Sequence, residues 1–364
     1  MTTEFTYVPG SGRVIFGPGT SRTKLAHEIE RLDVDRVLII TTARQEPLVQ
    51  ALTRPFHDRI VGRFTEVASH VPAAVAAAAR SQARSSGAQC LLSVGGGSAT
   101  GTAKAVALET SLPIVAVPTT YAGSEMTPIY GTTSDGRKQT GTSASVAPKT
   151  IVYDPELTVT LPPRTAGPSA MNAMAHAIEA LYAPGANPVT SLIAEEAIRV
   201  LGKELPGVLI DGTDLIARTE LLYGAYLAAS ALAVAGTGLH HKVCHVLGGA
   251  YDLPHAETHA IVLPHVVALQ EQVFISEMAR VAAALGATGP AVALHELNGR
   301  SGGPTALSEI GIVAADLPRA TSLVLDSISD NSGRALDPSA VREILYGAYA
   351  GCLPQPATHL SRHA

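Results

Sequence analysis

The 364-residue chain has no Trp, and aromatic residues make up only 4% of it. A core built on large rings is excluded, so Ala, Val, Leu and Ile must fill the interior. Its three cysteines, Cys90, Cys244 and Cys352, stand far apart with no Cys-x-x-Cys pair. That spacing argues against a disulfide framework and fits a reducing compartment. There is no basic excess: the formal charge is −5, and nucleic acid is not an expected partner. The segment Met1–Gly10 lacks a basic cluster followed by an apolar run, so no secretory signal is expected and a cytoplasmic location is implied. One uncharged stretch, Leu221–Leu239, has the length of a membrane span. It is rich in Ala and carries three Gly; it reads as a buried helix, and no membrane is expected as a partner.

What is present is an ordinary globular composition, with 46% apolar residues. A chain this long is expected to divide in two. Over the first 120 or so residues, strand-like and helix-like segments alternate. Arg36–Thr42, Arg59–Val67, CLLSVGG from Cys90 and PIVAVPTT from Pro113 read as strands. Helical stretches lie between them, one near Glu46–Thr53 and one opened by Pro72 and closed by Gly87. Apolar strands separated by helices imply βαβ units around a buried parallel sheet. Asp135-Gly136 between Thr-rich segments predicts a β-hairpin. Beyond Pro162 strand patterns stop and Ala-rich helical patterns follow. The expected architecture is a Rossmann-like α/β domain over residues 1–155 and an all-helical domain over 156–364.

Gly95-Gly96-Gly97-Ser98 follows an apolar strand and precedes a helix. Glycines let backbone approach a phosphate, and a helix N-terminus offers free N–H groups and a positive dipole end. The run is neither G-x-G-x-x-G nor a P-loop, and a plain tight turn is the alternative. A second loop, containing Thr119, Thr120, Tyr121 and Ser124, follows the next strand. Ligands gather at the carboxyl ends of strands in open α/β sheets, so both loops are candidates for one dinucleotide site.

Asn172 and His176 lie at i, i+4 and share a helix face. His241 and His245 repeat that spacing, and His255 follows Pro254 in an expected loop. Two such pairs and a loop His are expected to converge on one site. Histidines spaced this way often bind a metal, but Glu179 is not at i±4 from His176, and Asn172 stands where a metal would want Asp. His240, His259 and His265 are read as ordinary core or surface residues.

GGGSATGTAK, VPTTYAGSEMTP, NAMAHAIEA, GLHHKVCH and LPHAETHAIVLPH together resemble the iron-containing (type III) alcohol dehydrogenase superfamily, which shares its fold with dehydroquinate synthase. Within it the chain is similar to the maleylacetate reductases. The resemblance implies reduction of the conjugated double bond of a dicarboxylate by NADH or NADPH, in aromatic-compound degradation, by a homodimer. It places the superfamily's metal ligands on Asn172, His176, His241 and His255, and its histidine beside the nicotinamide on His245. Metal-dependent members have Asp where this chain has Asn172 and Gly101, and maleylacetate reductases, which work without metal, share both departures. The implied site is therefore catalytic His176, His241, His245 and His255 with no metal. The strand end Thr41-Thr42 carries no acid to repel a 2′-phosphate, so either cofactor is expected to work. Lys242 is a possible contact for a substrate carboxylate. A metal-dependent alcohol or glycerol dehydrogenase is the alternative, and a lyase or nucleotide sensor is disfavoured.

Overall fold

Short β-branched runs become one sheet because helices cover both of its faces. The structure, a computed structural model, describes residues 4–10, 12–134, 137–329 and 337–355. Its strands are β1 Arg13–Phe16, β2 Val37–Ile40, β3 Ile60–Phe64, β4 Cys90–Gly95, β5 Ile114–Pro118, β6 Ile129–Ser134, β7 Arg137–Thr142 and β8 Thr150–Tyr153. Helices α1 Thr20–Thr23, α2 Leu25–Glu30, α3 Glu46–Thr53, α4 Ala73–Ser85 and α5 Gly97–Thr110 alternate with them.

Six strands form a parallel sheet in the order β1-β8-β5-β4-β2-β3. Alternation within β2 sends Ile39 to one face, with Leu25, Ile29 and Val49, and Leu38 to the other, with Ala79, Ala83 and Ala103. The sheet gains two strands that the sequence patterns do not reveal, β1 and β8. β6 and β7 form the expected hairpin; its Asp135-Gly136 turn lies outside the described residues. β3 lies on one side of β2 and β4 on the other, so the order in which the chain adds parallel strands reverses there. The carboxyl ends of β2 and β4 consequently flank a crevice, the place where open α/β sheets bind ligands.

After β8 come only helices among the described residues: α6 Pro163–Ala180, α7 Pro188–Ile210, α8 Leu215–Ala235, α9 Leu239–Tyr251, α10 His255–Val273, α11 Ile275–Leu285, α12 Pro290–Arg300, α13 Leu317–Ser329 and α14 Pro338–Ala350. Alanines let α6, α7 and α8 approach closely, through Ala173, Ala177, Ala194, Ala197, Ala225 and Ala228. The same cluster includes Ala116, Tyr121, Ile151 and Tyr153, so the helical part rests directly on the sheet and its loops. Arg218, fully buried, ties the two together by donating to the Tyr121 hydroxyl at 3.1 Å and the Leu161 carbonyl at 2.8 Å. No single described helix is long and apolar enough to cross a membrane; α8 and α9 reach that length only together, across a 99° bend.

Candidate active site

A cleft of about 310 Å³ opens between the carboxyl edge of the sheet and the helical layer. Gly97, Ser98, Thr120 and Ser124 line one wall, and Asn172, His176, His241, His245 and His255 line the other. Helix α5 starts at Gly97 with no side chain capping it. Its first N–H groups are thus available to an anion. Gly95 holds φ 151°, and a Cβ there would come within 2.9 Å of Ala99 Cβ; at Gly96 one would come within 3.0 Å of Thr120 Cγ2. Both glycines are needed for the turn itself, whereas a Cβ at Gly97 meets only Ala122, at 3.4 Å. These residues fit a dinucleotide pyrophosphate at the crevice.

Four expected cofactor contacts, Thr41, Thr42, Thr119 and Tyr121, are not among the residues lining the cleft. Thr41 is fully buried and donates to the Val94 carbonyl at 2.8 Å, stitching β2 to β4. Tyr121 is fully buried and accepts from Arg218. Thr119, also buried, accepts from Gln45 Nε2 at 2.8 Å behind the loop. Thr42 is half-buried, and it pairs with Glu66 in an isolated bridge. The loop is fixed from beneath by Lys104, a fully buried lysine that no sequence motif singles out. Its Nζ donates to Ser124 O at 2.6 Å, Thr127 O at 2.8 Å and Ile129 O at 2.7 Å. Burial lowers its pKa to about 7.

The histidine wall comes from three helices. Asn172 and His176 project from α6, His241 and His245 from α9, and His255 from α10. His255 is the first residue of α10 and does not sit in a loop, because Pro254 ends the preceding turn and starts the helix. Consequently His259, one turn on, joins the cluster, 4.3 Å from the His255 ring and 4.8 Å from the His241 ring. The i, i+4 spacing of His255 and His259 is the signal that could have found it. The His176 and His241 rings stack at 5.1 Å. Asn172 Nδ2 donates to Ala122 O at 3.4 Å, while its Oδ1 and His241 Nε2 have no protein partner.

Glu179 organises the wall from behind. It lies on the face of α6 shared by Asn172 and His176, and its carboxylate accepts from the backbone N–H of Gly238 at 2.8 Å and of His240 at 2.6 Å. Its third partner is His241 Nδ1 at 2.5 Å. Burial pushes the Glu179 pKa up, but His241, His240 and the Gly238 N–H outweigh it and hold it at about 2. The Glu179 contact occupies Nδ1 of His241 and leaves Nε2 toward the cleft. Burial, reinforced by His241, holds His176 well below the ordinary imidazole range. Burial also lowers His240 to about 3 and takes His259 well below the usual value.

The donor set of this wall, the Asn172 amide and the imidazoles of His176, His241, His245 and His255, contains no carboxylate, and the neighbouring Glu179 is occupied by His241 and two N–H groups. One other group, His240, Cys244 and His259, brings its atoms within 4.8 Å among the described residues. There His240 Nε2 is hydrogen-bonded to His259 Nδ1 at 2.9 Å. Cys244 Sγ stands nearly equidistant from both His240 nitrogens, at 3.7 and 4.0 Å, beside the ring and off the line of a nitrogen lone pair. His240 and His259 thus form a hydrogen-bonded pair with Cys244 packed beside it. Lys242 does not line the cleft, and no described Lys or Arg does.

Sequence and fold both match a known family along almost the whole chain. The iron-containing alcohol dehydrogenase profile matches residues 11–155, and the profile of that family's C-terminal part matches residues 167–349. A maleylacetate reductase of Burkholderia cepacia is 44% identical over 342 residues, 94% of this chain and 97% of that protein. The crystal structure of maleylacetate reductase from Agrobacterium tumefaciens superposes with a TM-score of 0.89 at 40% identity, covering 97% of this chain and all of that one. An iron-containing alcohol dehydrogenase from Corynebacterium glutamicum gives the same TM-score at 39% identity, over 96% of this chain and 98% of that one. The chain belongs to the iron-containing alcohol dehydrogenase family.

Proposed function

We propose that this chain is a maleylacetate reductase that uses NADH or NADPH and no metal to convert maleylacetate into 3-oxoadipate. Similarity to maleylacetate reductases over nearly the whole length carries the assignment. The wall of His and Asn, which carries no carboxylate, supports it chemically. The balanced reaction is maleylacetate plus NAD(P)H plus a proton, giving 3-oxoadipate and NAD(P)⁺. The Gly97 and Ser124 loops would hold the dinucleotide, which when bound would supply the hydride for the alkene carbon β to the ketone. Charge then spreads into an enolate whose oxygen is remote from the carbon receiving hydride.

A simple ketone develops full alkoxide at the reacting carbon, where a Lewis acid helps most. An enolate carries a milder charge that preorganised hydrogen-bond donors can hold. His241 is placed for this. With Nδ1–H on Glu179, its Nε2 is the atom turned to the cleft, and a proton carried there can be shared with the enolate oxygen while the Glu179 carboxylate balances the charge. His245 and His255 flank it, their rings stacked at 6.3 Å. The neutral His176 and Asn172 supply dipoles without repelling a dianion. With no Lys or Arg among the described lining residues, the substrate carboxylates are held by hydroxyl, imidazole and backbone donors. The enzyme is taken to act as a cytoplasmic homodimer.

Absorbance at the nicotinamide band tests the assignment. NADH and NADPH should each be oxidised by maleylacetate and left untouched by simple ketones or aldehydes. Turnover of simple carbonyls alone would establish the alcohol dehydrogenase alternative. The cofactor loop has its own test. In Gly97→Val the added branch enters the cleft beside Ala122 while the turn glycines stay intact. NADH affinity should fall by about tenfold or more, with circular dichroism unchanged. Unaltered affinity by fluorescence titration would reduce the loop to a simple turn.

A further inference from the structure

Between β3 and α4 the backbone does something unusual. His70 and Val71 hold consecutive positive φ values, 58° and 48°. For a β-branched residue such as Val71 this is a genuine outlier, and it persists only where the surroundings over-determine it. Here they do. Thr133 of β6 donates its hydroxyl to His70 O at 2.9 Å and its N–H to Val71 O at 3.1 Å. On the other side the Val71 side chain is buried against α5 at Gly101, where a Cβ would stand 2.8 Å from Val71 Cγ2. Any side chain at 101 would displace this segment.

The segment delivers His70 into the cleft, with its side chain only 6% exposed. From there His70 Nε2–H donates to the carbonyl of Leu253 at 2.9 Å. Leu253 lies in the short link from α9 to α10, two residues before His255. The bond therefore crosses from the α/β part to the helical part and pins the chain where α10 begins. We propose that His70 is a positioning residue: Gly101 makes room for Val71, Val71 seats the segment, and His70 holds Leu253 so that His255 faces His245 across the substrate. This rests on the reductase reading for its kinetic effect, but the mechanical link stands independently of it.

The test uses His70→Ala, His70→Gln, Gly101→Ala and the double variant His70→Ala/Gly101→Ala in the full-length protein. His70→Ala and Gly101→Ala should each lower kcat for maleylacetate by about tenfold or more through misplacement of His255. NADH affinity should stay within about twofold, because the Gly97 loop is untouched. The double variant should be no worse than the weaker single one. His70→Gln, which keeps an N–H donor at the same reach, should recover most of the loss. Amide hydrogen exchange over residues 253–258 should quicken in His70→Ala and Gly101→Ala. Exchange at the wild-type rate in His70→Ala, losses that multiply in the double variant, or a His70→Gln variant as impaired as His70→Ala would each overturn the proposal. Exchange needs no substrate, so wild-type protein inactive on maleylacetate would defeat the reductase reading while this link was still decided.

Discussion

His241→Ala is expected to lower kcat for maleylacetate by about 10²–10⁴, the usual range for a group that donates a proton or holds developing charge. His241 combines a carboxylate partner on Nδ1 with an Nε2 that faces the cleft and has no protein partner. Its stacked neighbour His176 cannot take over, because burial keeps that ring neutral. Cofactor affinity should change little, since the glycine loop is on the opposite wall. Steady-state kinetics with both substrates varied would check this, and a His241→Ala enzyme retaining more than about a third of wild-type kcat would remove His241 from the chemistry.

The second large effect is expected at Glu179. Replacing it with Leu leaves the N–H groups of Gly238 and His240 and the His241 ring without their common acceptor, all in a buried setting. Breaking a buried pair on one side costs about 3–5 kcal/mol, so the urea midpoint should drop clearly and kcat should fall with it. The pH dependence has a definite sign. The folded carboxyl sits at about 2, below its ordinary 4.5. Its contribution to stability is therefore complete above the unfolded value and is lost as pH falls from there through the folded one. Glu179→Gln should flatten that acid limb of the stability curve. Urea midpoints measured from neutral pH down into the acid limb would decide, and a limb as steep in the Glu179→Gln variant as in wild type would contradict this role.

Much of the fold is legible in the sequence because its signals are local. The β-branched runs around Val37, Cys90 and Ile114, the glycines after Val94 and the Ala-rich periodicity beyond Pro162 each speak within a dozen residues. The short strands β1 and β8 escape notice because RVIF and TIVY each open on a charged or polar residue, unlike the all-apolar VLII of the equally short β2. The histidine wall is anticipated because i, i+4 spacing fixes a shared face, and His259 escapes only when α10 is expected to begin after His255. Glu179, weighed against its own helix, looks idle, because its partner His241 comes from α9. Contacts between helices have no spacing rule. Thr41 and Tyr121 mislead for a related reason: a residue at a strand end can face the crevice or the neighbouring strand, and packing decides which. His70 has no local signal, since its meaning depends on Leu253, 183 positions away.

The central claim, that a wall of imidazoles and one amide with no carboxylate reduces an enone without a metal, has a direct test. Purified protein is treated with a strong chelator, its metal content is determined by elemental analysis before and after, and NADH oxidation by maleylacetate is followed on the same sample. The account predicts far less than one iron or zinc per chain and an unchanged rate, with no gain when either metal is added back. One metal per chain before treatment, with activity lost on chelation and restored by iron or zinc, would contradict it.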